Sequence, residues 1–316
     1  MSDQDSAAPP PTSSDTPQHF GIVAVLGAPN AGKSTLVNAL VGSKVTIVSP
    51  KVQTTRSRIT GIAMVGSAQI VLHDTPGIFA AKRKLDTAMV EVAWSGMADA
   101  ELVVLVVDAR RRADLEGDDT ARIIEGLTRA RRKAILVLNK IDLVPKPTLL
   151  ALAQAITGEG SPFTDVFMIS ALHGGGVDDL RKTLAARMPE GRWHYPEDQM
   201  ADAPLRFMAA EITREKLFFE LSQELPYAAF VETEAWEERK DGSVRIAQVI
   251  VVEKDSQKKI VVGKGGARVK AIGAAARRDL EQLLERRVHL FLFVKVRAGW
   301  GEDPDSYRAF GLDFKS

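Results

Sequence analysis

Eight consecutive residues constrain this chain more than any other feature. Gly27-Ala28-Pro29-Asn30-Ala31-Gly32-Lys33-Ser34 fits G-x-x-x-x-G-K-[ST], between the apolar run Phe20 to Leu26 and the helically spaced stretch Ser34 to Gly42. A strand that enters such a loop and leaves it as a helix aims successive backbone N–H groups at one point, where the helix N-terminus also favours negative charge. The loop from Asn30 through Ala31 and Gly32 to Thr35 is therefore expected to cradle phosphates. Lys33 would reach the β and γ phosphates, and Ser34 would give its hydroxyl to Mg²⁺.

Three further segments follow in chain order, each at the end of an apolar run. Asp74-Thr75-Pro76-Gly77 follows Ile70-Val71-Leu72-His73; a carboxylate there can hold Mg²⁺ through water, and the Gly77 N–H can reach a γ-phosphate. Asn139-Lys140-Ile141-Asp142 follows Ala134 to Leu138. Guanine carries an N1–H and a 2-amino group, a donor pair that adenine lacks. Asp142 therefore selects guanine, with Asn139 placed for N7 and the Lys140 stem over the ring. Ser170-Ala171-Leu172, after the weaker run Val166 to Ile169, offers the Ala171 N–H to O6. Between the phosphate loop and Asp74, the polar stretch Ser49 to Arg58 holds Thr54 and Thr55. Either could place its hydroxyl on Mg²⁺ and its N–H on the γ-phosphate, and spacing does not choose between them. In this order the elements read as a guanine-nucleotide site.

The apolar runs alternate with helical patterns such as Asp118 to Arg131 and Thr148 to Ile156, as in a mostly parallel sheet with helices on both faces. Residues 19–188 accordingly read as an α/β domain, with Ile59 to Met64 as an antiparallel edge strand. Residues 1–18 hold three Asp, four Pro and no Lys or Arg, too little apolar surface to offset ordering, and read as a disordered tail. Residues 189–204, PEGRWHYPEDQMADAP, read as a linker crossing the surface, with Trp193 and Tyr195 packing the joint. Residues 205–316 form a smaller α+β unit and its C-terminal tail. It is expected to run as a helix near Leu205 to Leu225, strands at Ala229 to Glu237 and Val244 to Glu253, a helical piece near Ser256 to Val262, a glycine turn, a long helix to about Glu285, and a strand at Val288 to Val296.

Composition enters where it narrows the partners. The absence of Cys excludes a disulfide framework and a thiolate metal site, and the five His lack metal-ligand spacing. No apolar stretch approaches the roughly 20 residues of a membrane span, and the N-terminus lacks a signal peptide's features, so a cytoplasmic protein is expected. The formal charge of +1 averages unlike halves: from Glu253 to Val296 eleven Lys or Arg face five acids, a local excess of +6 that attracts phosphate-bearing partners. Within it, Gly263-Lys264-Gly265-Gly266 is a G-x-x-G turn between two helical pieces, which in a KH domain clamps backbone nucleotides. Lys264 and Lys270 add charge, while Ile260, Val261, Val262, Val269 and Ile272 are expected to line an apolar groove. Arg277, Arg278, Arg286 and Arg287 either touch phosphate or solvate helix ends.

With these segments in place the chain resembles the Era family of bacterial small-subunit assembly GTPases, in the translation-factor-related class of P-loop GTPases. The matching motifs are GAPNAGKST, QTTRSR, DTPG, NKID and SAL, then RFMAAEITREK, ELPYA, QKKIVVGKGGARVKAIG and VHLFLFVKVRAGW, covering residues 20 to about 301. The resemblance implies a GTPase domain followed by a type II KH domain. It also implies GTP or GDP as ligand and Mg²⁺ held by Ser34, Thr55 and Asp74, the TTR alignment favouring Thr55. Lys33, Thr55 and Gly77 form the expected catalytic set. Hydrolysis should be slow, because Ile78 stands where Ras-like proteins place a water-orienting Gln, and K⁺ held partly by Asn30 is a candidate auxiliary ion. The implied partners are the 3′ region of 16S rRNA and the 30S subunit or its precursor, met as a monomer. Peripheral association with the inner face of the cell membrane is a secondary implication, for which the chain shows no strong amphipathic anchor. The competing expectation is an RNA chaperone or membrane-associated scaffold in which GTP hydrolysis is incidental.

Overall fold

Two sheets organise the chain. In the computed structural model, which describes residues 17–51, 54–81, 84–111, 118–221 and 228–300, the first has seven strands and the second three. The expected tail lies outside the described residues except for its last two positions, as do residues 301–316 and all of ELPYA but Ala228.

The larger sheet is built on five parallel strands: β1 (His19–Leu26), β3 (Ala68–Asp74), β4 (Leu102–Asp108), β5 (Ala134–Asn139) and β6 (Phe163–Ile169). β2 (Ile59–Val65) runs antiparallel to β3, and β7 (Ala201–Asp202) antiparallel to β2, giving the order β6-β5-β4-β1-β3-β2-β7. The apolar runs are continuous because both sheet faces are covered. Val104 and Val106 of β4 meet α1 (Lys33–Val41) and α5 (Val177–Ala186) on one side. Val103, Leu105 and Val107 meet α3 (Asp119–Arg129) and α4 (Lys146–Ile156) on the other, where Ala93 of α2 (Lys84–Ser95) also packs. All five parallel strands end at the same rim, so the loops after β1, β3, β5 and β6 converge there.

One expectation changes. β2 is not the edge of the sheet, because the linker supplies β7 beyond it. The linker is also tied down: the buried amide of Gln69 accepts the N–H groups of His194 and Tyr195 at 2.9 and 3.0 Å and donates to the Tyr195 carbonyl at 2.8 Å. Trp193 Nε1 donates to Ser67 O at 3.0 Å, and the His194 ring stacks on Phe20 at 3.8 Å. A polar side chain inside a strand needs such partners, and the linker provides them.

The second sheet has the order β10-β9-β8, with β8 (Ala229–Glu238) antiparallel to β9 (Val244–Val252) and β10 (Val288–Val296) parallel to it. Its helices are α6 (Leu205–Glu220), α7 (Asp255–Val262) and α8 (Ala267–Leu284). One face packs against these helices through Ile250, Val252, Leu217, Val261 and Ile272, and through Ile246, Val288, Ile212 and Leu280. The opposite face carries Phe230, Val249 and Val251, which bury against Trp300 and against Leu85 and Met89 of α2 in the first domain. The second sheet and α2 of the first domain therefore share a core.

Candidate nucleotide-binding site

The loop after β1 needs two left-handed residues, Asn30 at φ 61° and Gly32 at φ 97°. Glycine is required at position 32 for a second reason: a Cβ there would stand 2.2 Å from Asn139 Nδ2. Lys33 opens α1 and is buried, its Nζ donating to the carbonyls of Gly27 and Ala28 at 3.1 Å each. Burial pushes its ammonium down to about 8, with Asp74 opposing the shift. A buried cation at a ring of loop N–H groups is the counterpart of a polyphosphate.

Ser34, Thr55 and Asp74 come together beside it. Ser34 Oγ donates to Asp74 Oδ2 at 2.7 Å, Thr55 Oγ1 to the same oxygen at 3.2 Å, and the two hydroxyls lie 2.9 Å apart. Thr46, a residue that the sequence did not single out, adds a third hydroxyl to Asp74 Oδ2 at 2.9 Å. Thr55 rather than Thr54 faces this cluster; the Thr54 hydroxyl turns away to Ser49 Oγ at 2.6 Å and the Lys51 carbonyl at 2.8 Å. Asp74 Oδ1 is buried with no partner among the described residues, and burial raises the carboxyl's pKa despite the hydroxyl bonds. Two hydroxyls and an oxygen-only carboxylate with a spare buried acceptor suit a hydrated Mg²⁺. Gly77 passes so close to the phosphate loop that a Cβ would lie 2.8 Å from Pro29 N, and Ile78 behind it is fully buried in the core.

At the other end of the rim, Asn139 acts as a girder. Its Nδ2 donates to Ala31 O at 3.0 Å, and its Oδ1 accepts the N–H groups of Lys140 and Ala171 at 2.8 and 3.0 Å. The Ala171 N–H expected at O6 is thus already bonded to Asn139, and contact with a base would have to share it. Lys140 sits at φ 66°, its Nζ bonded to Asn30 O at 2.5 Å and Asp108 Oδ2 at 2.8 Å. Burial would raise the Asp108 carboxyl, but hydrogen bonds from Arg110 and Lys140 bring it down to about 2. Asp108 was not anticipated, although, like Asp74, it is an acid closing an apolar run. Asp142 lies at the mouth with His173 Nε2 3.7 Å from its Oδ2, the neighbouring Ser170 hydroxyl holds its carboxyl below the usual range, and Leu172 is exposed. Lys33, Ser34, Thr35, Thr55, Gly77, Lys140, Asp142 and Ser170 all border one cleft of about 440 Å³. Its size and donor set fit a guanine nucleotide with its metal.

In the second domain the Gly263 to Gly266 turn joins α7 to α8, with Lys264, Gly265 and Lys270 exposed. Gly265 (φ 58°) and Gly266 (φ 79°) have open space where a Cβ would stand. Gly263 differs, since its Cβ would lie 2.8 Å from Arg268 Cβ. The groove expectation is corrected: Val261 and Ile272 are fully buried in the domain core, leaving Ile260, 47% exposed, with the partly buried Val262 and Val269 at the surface. Arg286 pairs with Glu238 at 2.5 Å and so braces a strand end, while Arg277 and Arg278 are exposed.

A phosphate loop, a hydroxyl and carboxylate metal corner, a guanine-reading loop and an appended helix-turn-helix carrying G-x-x-G define a P-loop GTPase with a KH module. Residues 22–140 match the 50S ribosome-binding GTPase family and residues 224–301 the KH domain family. The chain is 60% identical to GTPase Era of Bradyrhizobium sp. (strain BTAi1) over 294 residues, 93% of this chain and 94% of that protein. It is 59% identical to GTPase Era of Rhizobium meliloti (strain 1021) over 94% of each chain. This chain belongs to the Era family, and it binds and hydrolyses GTP with Mg²⁺. Among solved structures, Era in complex with MgGDPNP and nucleotides 1506–1542 of 16S ribosomal RNA is similar at a TM-score of 0.84 and 36% identity, covering 94% of this chain and all of that one. An Aquifex aeolicus Era variant bound to GDP and AlF4⁻ is similar to the same degree.

Proposed function

We propose that this chain is a GTP-driven switch that binds the 3′ region of 16S rRNA and assists assembly and maturation of the 30S subunit. The observation that carries the reading is the shared core between α2 and the KH sheet. Residues 74–77 lead toward α2, and Leu85 and Met89 of α2 bury against Phe230, Val249, Val251 and Trp300. A loop that responds to the γ-phosphate thus shifts a helix that cannot move without the RNA-binding domain. The similar Era structure holding a 16S rRNA segment supports the choice of RNA.

In this reading the GTPase domain spans residues 19–188, the linker 189–204 and the KH domain and tail 205–316. Lys33 bridges the β and γ phosphates within the loop Asn30 to Thr35, and the Gly77 N–H holds the γ-phosphate. Ser34, Thr55 and Asp74 would hold Mg²⁺, which when bound would supply charge neutralisation between the β and γ phosphates. Asp142 takes the guanine N1–H and 2-amino group, the Lys140 stem covers the ring, and Ser170, Ala171 and Leu172 close the base pocket. Water is oriented by backbone groups, since Ile78 is apolar and buried. Asn30 would help to hold a K⁺ as an auxiliary ion. Gly263, Lys264, Gly265, Gly266 and Lys270 meet the RNA backbone. The protein works as a cytoplasmic monomer, with peripheral contact to the inner membrane face as a subsidiary association; among the described residues no helix is long and apolar enough to cross a membrane.

Affinity for a 16S rRNA 3′ fragment, measured at one salt concentration with GDP and with a non-hydrolysable GTP analogue, tests the switch. A difference of about tenfold is expected, corresponding to a coupling of about 1.4 kcal/mol. Equal affinities would instead indicate an RNA chaperone or scaffold in which hydrolysis is incidental.

A further inference from the structure

Thr55 follows a carbonyl that the other domain holds. Arg214, fully buried on α6, donates from Nη2 to the Thr54 carbonyl at 2.5 Å. Its Nε donates to Glu211 Oε1 at 2.7 Å, and Nη2 is shared with Glu211 Oε2. The Thr54 carbonyl and the Thr55 N–H belong to one planar trans peptide, so fixing the direction of the carbonyl fixes the N–H in the opposite direction. On the far side of that peptide the Thr55 hydroxyl bonds Ser34 and Asp74. The residue assigned to metal and γ-phosphate is therefore gripped from both domains.

The neighbouring chain is held in the same way. Glu215 Oε1 accepts the Val48 N–H at 2.9 Å, Lys51 Nζ donates to Leu221 O, and Arg56 Nη1 donates to Ala229 O at 2.9 Å. A buried Arg–Glu pair is a poor way to add stability, because well-packed apolar side chains of the same volume usually do as well. Arg214 Nη1 even remains without a hydrogen-bond partner among the described residues, the guanidinium lying over the Phe218 ring at 5.2 Å from its centroid. What a guanidinium does here that an apolar side chain cannot is fork one donor set between a fixed carboxylate and a backbone carbonyl.

We propose that Arg214, oriented by Glu211, is a positioning residue for GTP hydrolysis, supplied in cis by the RNA-binding domain, and that it aims Thr55 at the γ-phosphate and Mg²⁺. This rests on the reading of Thr55 given above. Because coupling is reciprocal, the nucleotide state then changes the grip on α6, and RNA that moves α6 changes the order of Thr55.

The test uses the full chain and three variants. Arg214→Met with Glu211→Gln removes the grip without leaving a buried carboxylate unpaired. Arg214→Lys keeps the charge but loses the fork, and Thr55→Ala removes the group being positioned. The readouts are kcat and KM for GTP with Mg²⁺, affinity for GDP, and tryptic cleavage after Arg56 and Arg58 with GDP or a non-hydrolysable GTP analogue. In the double variant, kcat should fall about tenfold, the scale of one charge-assisted hydrogen bond, with KM and GDP affinity near wild type. The analogue should no longer protect the cleavage sites, and Arg214→Lys should restore part of both effects.

Wild-type kcat and wild-type protection in the double variant would overturn the proposal. If Thr55→Ala is impaired at the same time, the reading of Thr55 survives and only the role of Arg214 is lost. A wild-type Thr55→Ala sinks the reading and the proposal together. Should the double variant lose GDP binding through misfolding, Arg214→Lys decides by the same readouts: kcat and protection both below wild type support the role, and wild-type values reject it.

Discussion

The Asn139 side chain donates to the Ala31 carbonyl at 3.0 Å, so the loop after β5 and the loop after β1 are one hydrogen-bonded unit. The same side chain accepts from Ala171 and thereby includes the third loop of the pocket. Neither loop can adjust to a ligand without the other.

Asn139→Ala should therefore weaken GDP and GTP together rather than one of them. Losing the girder leaves the Ala31 carbonyl and the Ala171 N–H without their partner, at roughly 2 kcal/mol of stability and at least tenfold in affinity. Calorimetry with both nucleotides checks this. An effect confined to GTP would show that Asn139 serves the triphosphate and not the junction of the loops.

Asp142 stands at the mouth of the cleft, where its carboxylate can meet the two donors of guanine. Asp142→Asn should reduce GTP affinity by about a hundredfold or more and improve the relative binding of xanthosine triphosphate, whose 2-oxo group accepts where guanine donates. Competition binding with the two triphosphates is the measurement, and an unchanged preference for GTP would remove Asp142 from base recognition.

Much of this site was legible because its chemistry repeats a simple arrangement: a polar residue directly after an apolar run. Asp74, Asn139 and Ser170 each close a parallel strand, and parallel strands end at one rim, so chain order alone brought them together. What was not legible depends on contacts across the chain. Gln69 looks like a surface residue in AQIVLH, yet it is buried because a linker more than a hundred residues later wraps over it. The pattern of β9 shows that Val249 and Val251 are apolar, but not that the layer covering them is α2 of the other domain. The spacing of Glu211 and Arg214 is that of any i,i+3 ion pair, and nothing in it shows that α6 docks against Thr54 and buries both side chains.

The Lys33 ammonium predicts a pH dependence with a definite sign. Burial holds its pKa at about 8 in the free protein. Bound phosphates favour the charged form and so raise the pKa in the complex. Below about pH 8 the lysine is charged in both states, and GTP affinity should be flat as far as Lys33 is concerned. Above it, binding must take up a proton, so affinity should fall by up to roughly tenfold per pH unit. Calorimetry in two buffers of different ionisation enthalpy would count that proton, and Lys33→Ala should lose this uptake along with most of its triphosphate affinity. Proton uptake unchanged in Lys33→Ala would place the titration elsewhere.

The proposed RNA-binding role of the KH turn can be tested apart from the chemistry of the nucleotide cleft. Gly265 and Gly266 have positive φ, which costs any other residue about 1 kcal/mol or more, but nothing within the chain occupies the space of a Cβ. Substitution there should therefore strain the turn mildly while placing side chains directly on the outer surface, where an RNA backbone would approach. Gly265→Asp with Gly266→Asp adds two carboxylates beside Lys264 and should repel phosphate. Gly263 is the wrong position for this test, since its Cβ would collide with Arg268 and disturb the start of α8. The nucleotide cleft is bordered only by residues of the first domain, so basal GTP hydrolysis should stay within about twofold of wild type. Binding to the 16S rRNA 3′ fragment should fall by at least tenfold at fixed salt, and any stimulation of hydrolysis by that RNA should fall with it. Circular dichroism and basal turnover establish that the variant is folded. A folded variant that binds the fragment with wild-type affinity would mean that the turn does not clamp the RNA. If the fold is lost as well, Lys264→Ala, which removes an exposed charge without touching the backbone, gives the answer through a shallower dependence of affinity on salt.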